Sequence, residues 1–231
     1  MNIKDITSFL AAVVLAMGVT VLEPKRWPGG EGKIILTFDD GPSERISGEL
    51  LDVLSKHKVN AVFCYIGKNV ERAPEVVSRT LSEGHKVSIH TYSHRTGLLL
   101  DVDKLYNEIK RCSTLIDSIT QNRTYQPEFF RPPWGLKSPA VRKAVEEIGL
   151  KYAYLTQFVN DAKTEREGSK HILERVKQGI ERRNGGAVVF HELRFKHGTD
   201  PYEIDKEWLP GAVDEFISWA KKEGYEFTLY R

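Results

Sequence analysis

Two adjacent carboxylates, Asp39 and Asp40, stand after the apolar run Ile34-Ile35-Leu36 and just before Gly41-Pro42. An apolar strand tolerates no uncompensated charge, so the pair calls for a cation or a guanidinium nearby. Successive strand residues face opposite sides, but a turn at Gly41 would let both carboxylates line one pocket. One could then bind a metal while the other handles a proton. The plainer reading is that both shape the turn and cap the helix that follows.

Further along, His90 and His94 lie four residues apart in His90-Thr91-Tyr92-Ser93-His94. That spacing brings two imidazoles together if the segment turns helical. Neutral imidazole is a common ligand for zinc and related ions. Thr91 stands where the helical metallopeptidase motif needs Glu, so that motif is absent. With Asp40 the two histidines make a three-ligand set with open positions for water and substrate. Arg131 leaves an apolar segment into Pro132-Pro133-Trp134-Gly135. The prolines stiffen this loop, and the guanidinium needs a carboxylate, for which Asp39 is the natural candidate. Trp134 either packs in the core or walls a sugar-binding cleft. His191 ends the run Val188-Val189-Phe190. Alone it reads as a hydrogen-bonded structural residue; together, two Asp, three His and one Arg are hard to explain as packing.

The elements that must position these residues alternate. Strand-like segments fall at Lys33–Phe38, Val59–Ile66, Lys86–His90, Glu128–Arg131, Lys151–Thr156, Ala187–His191 and Tyr225–Tyr230. Helical spacing occupies Ser43–His57, Pro74–Glu83, Asp101–Ile119, Ser138–Ile148, Ser169–Arg182 and Leu209–Lys222. Such alternation predicts a parallel α/β sheet or barrel, whose chemistry gathers at the C-terminal ends of the strands. The chemistry-bearing residues above stand at such ends.

A chain of 231 residues suffices for one well-cored domain. A formal net charge of +2 gives no sign of a nucleic-acid surface. Cys64 and Cys112 lack metal-type spacing, and Cys64 sits in an apolar run, so a buried free thiol is expected. Residues 9–22 are almost wholly apolar, short for a membrane span and about right for a signal-peptide core. Residues 1–22 are therefore expected to be a signal peptide or an N-terminal membrane anchor, with membrane association through 9–22 in the second case and an extracytoplasmic location in both. Residues 23–32 read as a linker, and 33–231 as a single domain. No protein partner is expected.

These residues resemble the polysaccharide deacetylases of carbohydrate esterase family 4, the NodB homology domain, over about Lys33 to Tyr230. Thr37–Gly41 is similar to the family's first motif, His90 and His94 to the second, Arg131–Trp134 to the third, and His191 to the last. The resemblance implies a distorted (β/α) barrel and one divalent ion, zinc first with cobalt, nickel or manganese also suited, on Asp40, His90 and His94. It implies Asp39 as catalytic base, Arg131 as its holder, His191 as general acid, and Asp161 as the residue that tunes His191. Trp134, with Pro133 beside it, would present a backbone N–H to the oxyanion. The fourth motif departs: Phe158-Val159-Asn160-Asp161-Ala162 keeps one Asp but lacks the other and a Trp, and Glu192 replaces the usual Asp after His191. The implied reaction is removal of N-acetyl groups from an amino-sugar glycan. An O-acetyl xylan esterase, or a carbohydrate-binding protein on the same scaffold, are the alternatives.

Overall fold

The computed structural model describes residues 18–21, 30–95, 100–120, 125–158, 161, 169–194 and 204–231. Strand β1 (Thr20–Val21) precedes the central strand β2 (Lys33–Asp39), which is followed by α1 (Ile46–His57), β3 (Val62–Tyr65), α2 (Gly67–Arg72), α3 (Pro74–Ser82) and β4 (Lys86–Ile89). Then come α4 (Val102–Ile119), β5 (Phe129–Phe130), β6 (Leu136–Lys137), α5 (Pro139–Ile148), β7 (Lys151–Tyr152) and β8 (Gln157–Phe158). The chain continues through α6 (Ser169–Arg183), β9 (Gly185–His191), β10 (Leu193–Arg194), β11 (Ile204–Asp205), α7 (Leu209–Lys222) and β12 (Glu226–Phe227).

Eight of these strands form one sheet in the order β7-β5-β4-β3-β2-β9-β8, with β12 also pairing β2. Every pairing in it is parallel. One edge of β2 is matched by β9 along its whole length, from Lys33↔Gly185 to Asp39↔His191. The other edge is shared: β12 meets Lys33 and Ile34, and β3 meets Thr37 to Asp39. That division accords with the distorted barrel implied by the family resemblance. Of the predicted strand Lys151–Thr156 only Lys151–Tyr152 forms a strand, β7; β8 begins just past it at Gln157, and the two lie on opposite edges of the sheet.

The pleat sorts the side chains of β2 by parity. Ile34, Leu36 and Phe38 face outward into a large core with Leu50, Leu54, Ile109, Val141, Val176 and Phe216 from the surrounding helices. Ile35 faces inward with Val62, Cys64, Phe129, Ala153, Ala187 and Tyr230, a small cluster containing no helix residue. Thr37 and Asp39 continue that inward face toward the strand's C-terminal end, so the barrel interior turns polar where the chemistry is expected.

Helix ends follow the sequence signals. Asp101 accepts from the Lys104 amide and Ser138 from the Val141 amide, capping α4 and α5, and Gly149 closes α5 in the left-handed conformation. Cys64 and Cys112 are buried free thiols. Helix α2 has no counterpart in the sequence reading; six residues are too few to show a helical period. The antiparallel pairs β1–β6 and β10–β11 were likewise not expected. Among the described residues no helix is long and apolar enough to cross a membrane. Most of the expected N-terminal segment and linker, residues 96–99 and residues 195–203 lie outside the described residues.

Candidate active site

Asp39 closes β2, and Asp40 is the first residue past it. Asp40 itself adopts a left-handed conformation, φ 73°, so the turn comes one residue earlier than Gly41. That reversal puts both carboxylates on the interior side, and neither caps α1, whose N-cap residue is Arg45; the Ser43 hydroxyl instead accepts from the Ile46 amide.

Asp39 Oδ1 accepts from Arg131 Nη1 at 2.6 Å. Arg131 is fully buried, and all five of its N–H groups have partners. Nε donates to the Ala153 carbonyl at 3.0 Å, Nη1 also to Thr37 Oγ1 at 2.7 Å, and Nη2 to the Tyr154 carbonyl and the Tyr230 hydroxyl at 3.2 and 3.1 Å. A buried cation is tolerated only when paired and saturated in this way. Burial opposes its charge, yet the Asp39 carboxylate keeps the guanidinium more firmly protonated than usual.

His90 extends β4 and reaches the same space. Its Nδ1 lies 2.7 Å from the Arg131 carbonyl oxygen, which can only accept, so Nδ1 carries a proton. Nε2 is then turned toward Asp40 Oδ1, 3.4 Å away, and His94 Nε2 is 3.6 Å from the same oxygen. The two imidazoles are brought together by a loop rather than a helical turn: Thr91 and His94 have φ of 64° and 52°. Asp40, His90 and His94 are all buried, and their ligand atoms lie within 4.8 Å of one another. Both Asp40 carboxylate oxygens lack a hydrogen-bond partner despite being buried. Lone pairs converging on a buried, unsatisfied carboxylate suit a shared cation, and the one-carboxylate, two-imidazole donor set suits a divalent transition ion. Burial alone would raise the Asp40 pKa, but the neighbouring imidazoles of His90, His94 and His191 hold it well below the carboxylate range. Burial drives the His94 pKa down to about 3, so this imidazole is neutral and able to ligate at ordinary pH.

His191 ends β9 beside Asp39. Asp161 grips it twice, accepting from the His191 amide at 2.9 Å and pairing with Nδ1 at 2.6 Å. Lys206, almost fully buried after β11, donates to Asp161 Oδ2 at 3.0 Å. Burial works against charge on His191, but Asp161 wins and raises its pKa. The same contacts outweigh burial at Asp161 and lower its pKa. Lys206 escapes a sequence reading because its partner lies 45 residues away and nothing local marks it. Tyr230 and Asn69, which donates to the Asp40 carbonyl at 2.8 Å, are equally silent in sequence.

Trp134 is 39% exposed and its ring centroid stands 4.7 Å from that of His94, so it borders the site rather than the core. Its φ of 56° turns the backbone inside a short 3-10 segment begun by Pro133. Glu192 is wholly buried; its Oε2 accepts from Ser47, Oε1 has no partner, and burial pushes its pKa up to about 8. His57 pairs with Asp214, and His85 accepts from the Ala61 amide; both contacts serve the fold.

A parallel barrel that gathers an Asp-His-His cluster, a saturated Asp–Arg pair and a His–Asp couple at its strand ends has the layout of a metal-dependent hydrolase. The chain belongs to the polysaccharide deacetylase family, whose model matches residues 27–153. It is 31% identical over 228 residues to a peptidoglycan-N-acetylglucosamine deacetylase of Listeria monocytogenes, covering 98% of this chain and 44% of that one. A peptidoglycan-N-acetylglucosamine deacetylase of Bacillus cereus is 30% identical over 211 residues, covering 90% of this chain and 72% of its own. The chain thus spans less than half the length of the Listeria relative. A crystal structure of a polysaccharide deacetylase from Bacillus cereus superposes with TM-score 0.70 at 27% identity, covering 87% of this chain and 93% of that one. The fold is shared too by a family pseudoenzyme from Bacillus anthracis, with TM-score 0.67 at 20% identity over 86% of this chain and 64% of that one.

Proposed function

We propose that this chain is a metal-dependent deacetylase that removes N-acetyl groups from an amino-sugar polymer, with peptidoglycan as the first candidate. The observation that carries the reading is the register pair Asp39↔His191. It sets two proton-handling groups side by side, each held by its own buried partner, next to Asp40, His90 and His94. These last three residues would hold a divalent ion, zinc first, with cobalt, nickel or manganese also suited to the donor set. When bound, such an ion polarises an acyl carbonyl and makes a water nucleophilic near neutral pH.

The protein's own groups supply the rest. Arg131 occupies Asp39 Oδ1, leaving Oδ2 to take the proton of the attacking water. Asp161 occupies His191 Nδ1, so Nε2 delivers a proton to the departing nitrogen. An amide needs that acid because an amide anion is a very poor leaving group; an ester needs it less, so the preserved His–Asp couple favours N-deacetylation over an O-acetyl esterase. The Trp134 backbone N–H, set by Pro133 and the left-handed turn, is offered to the oxyanion. The names of the relatives favour peptidoglycan and hence extracytoplasmic action, and the apolar segment 9–22 fits a signal peptide or membrane anchor.

Acetate release from N-acetylglucosamine oligomers, peptidoglycan fragments and acetylated xylan, with zinc or cobalt and with a chelator, tests the reading. Release from an amino sugar, lost on chelation and in Asp39→Asn, is the expected result. Release from xylan alone would move the chain to the esterases. No release from a metal-loaded protein would favour a carbohydrate-binding role.

A further inference from the structure

Thr91 is a β-branched residue held at φ 64°, a region such residues avoid. His94 is left-handed as well, at φ 52°. Two strained residues bracketing the four-residue segment Thr91–His94 persist only if the surroundings over-determine the conformation. Two neighbouring elements do so. The amides of Gly67 and Lys68, opening α2, donate to the carbonyls of Thr91 and Tyr92, both at 3.0 Å. This approach is so close that a Cβ on Gly67 would lie 2.6 Å from the Tyr92 ring and 3.0 Å from its Cα. From the other side, Glu108 on α4 takes the amides. Its Oε2 accepts from the Tyr92 and Ser93 N–H groups at 3.0 and 2.6 Å, and both its oxygens lie 2.9 Å from the Ser93 hydroxyl.

We infer that Glu108 is a positioning residue that fixes the His90–His94 loop in its metal-binding shape, although it touches neither the cluster nor the substrate. The inference rests on the metal-dependent reading above. One carboxylate satisfies two consecutive backbone amides that no strand or helix ladder serves, and charge-assisted bonds of this kind are stronger than neutral ones. Arg111, one turn further along α4 and with its guanidinium 3.5 Å from the Tyr92 ring centroid, backs the same loop. Without Glu108 the amides lose their acceptor, Thr91 can relax toward ordinary φ, and the two imidazoles no longer converge on Asp40. Outer partners of metal ligands typically govern affinity by about 10–100-fold.

The test is zinc and cobalt affinity of the full chain, measured by competition against a chromogenic chelator, with the melting temperature of the metal-free protein as the fold control. Glu108→Ala should weaken binding by about 10–100-fold. Glu108→Gln, whose amide oxygen can still accept from both N–H groups, should stay within about threefold, and the cobalt absorption spectrum should broaden only in the Ala variant. If Glu108→Ala does not fold, Glu108→Asp, with the carboxylate withdrawn by one methylene, takes its place with a loss in the same direction. Wild-type affinity in the Ala or Asp variant overturns the positioning role while leaving the deacetylase reading intact. Absence of metal binding by the wild-type protein overturns both.

Discussion

Asp39 and His191 are register partners at the ends of neighbouring parallel strands, yet each is anchored by a different buried group, Arg131 for one and Asp161 for the other. In a parallel pair, register partners project to the same face of the sheet. The two proton-handling groups therefore share a space without sharing a partner, and each can be perturbed separately.

Asp161→Asn tests the acid side. Asp161 raises the His191 pKa, so the protonated form persists to higher pH than in an isolated imidazole and is lost as pH rises through the folded value. Removing the carboxylate should move the alkaline limb of the kcat–pH profile to lower pH and reduce kcat by about 10²–10⁴. A reduced rate with an unmoved alkaline limb would remove His191 as the group titrating there.

The base side is tied to stability. Arg131→Ala strands a buried carboxylate and should cost about 3–5 kcal/mol, lowering Tm on the order of 10 °C. Arg131→Lys keeps the charge but cannot serve the five acceptor contacts now made, so it should fall between the two. Calorimetry of the three proteins checks the order.

Asp40 carries two unsatisfied buried oxygens, so a divalent ion should stabilise the fold. Zinc at 100 times its Kd is expected to add about 2.7 kcal/mol, read as a Tm rise of several degrees. Asp40→Asn should abolish that increment while leaving the metal-free Tm the same or higher. A zinc-induced shift that survives in Asp40→Asn would place the ion elsewhere.

His85 opens the approach to β4 and accepts a hydrogen bond from the Ala61 amide through Nδ1 at 3.1 Å. Burial pushes its pKa down to about 4. Its contribution is present above the unfolded value of about 6.5 and is lost as pH falls through about 4, because the unfolded imidazole binds the proton first. Its share of that acid loss is on the order of 3 kcal/mol. His85→Asn, which keeps an acceptor but cannot titrate, should flatten the decline of urea-unfolding free energy between pH 6.5 and 4.

Gly41 has no room for a side chain: a Cβ there would stand 2.2 Å from Glu192 Oε1. Gly41→Ala should destabilise by about 1–3 kcal/mol and depress activity by displacing Asp40. Combining it with Glu192→Asp, which withdraws the carboxyl, should cost less than the sum of the single changes. A double-mutant cycle with no coupling would mean the two positions do not compete for the same space.

The sequence by itself determined much of this protein. Apolar strands alternating with amphipathic helices specify a parallel α/β sheet or barrel, because only helices on the sheet's outer face can cover residues such as Leu36, Phe38 and Val188. It also marked Asp39, Asp40, His90, His94, Arg131 and His191, since charged and titratable groups at the ends of apolar runs are costly unless partnered. The Asp39–Arg131 pair was legible for the same reason. Tertiary structure decided how the groups converge. The turn falls at Asp40 rather than Gly41, and the histidines meet through left-handed residues rather than a helical turn. Such conformations are imposed by long-range contacts, here from Asn69, Gly67 and Glu108. Lys206 and Tyr230 became visible only once folded, because each is defined by a partner distant in sequence, 45 residues away for one and 99 for the other. Local pattern encodes which face of an element is buried; it does not encode which distant side chain will satisfy a buried charge.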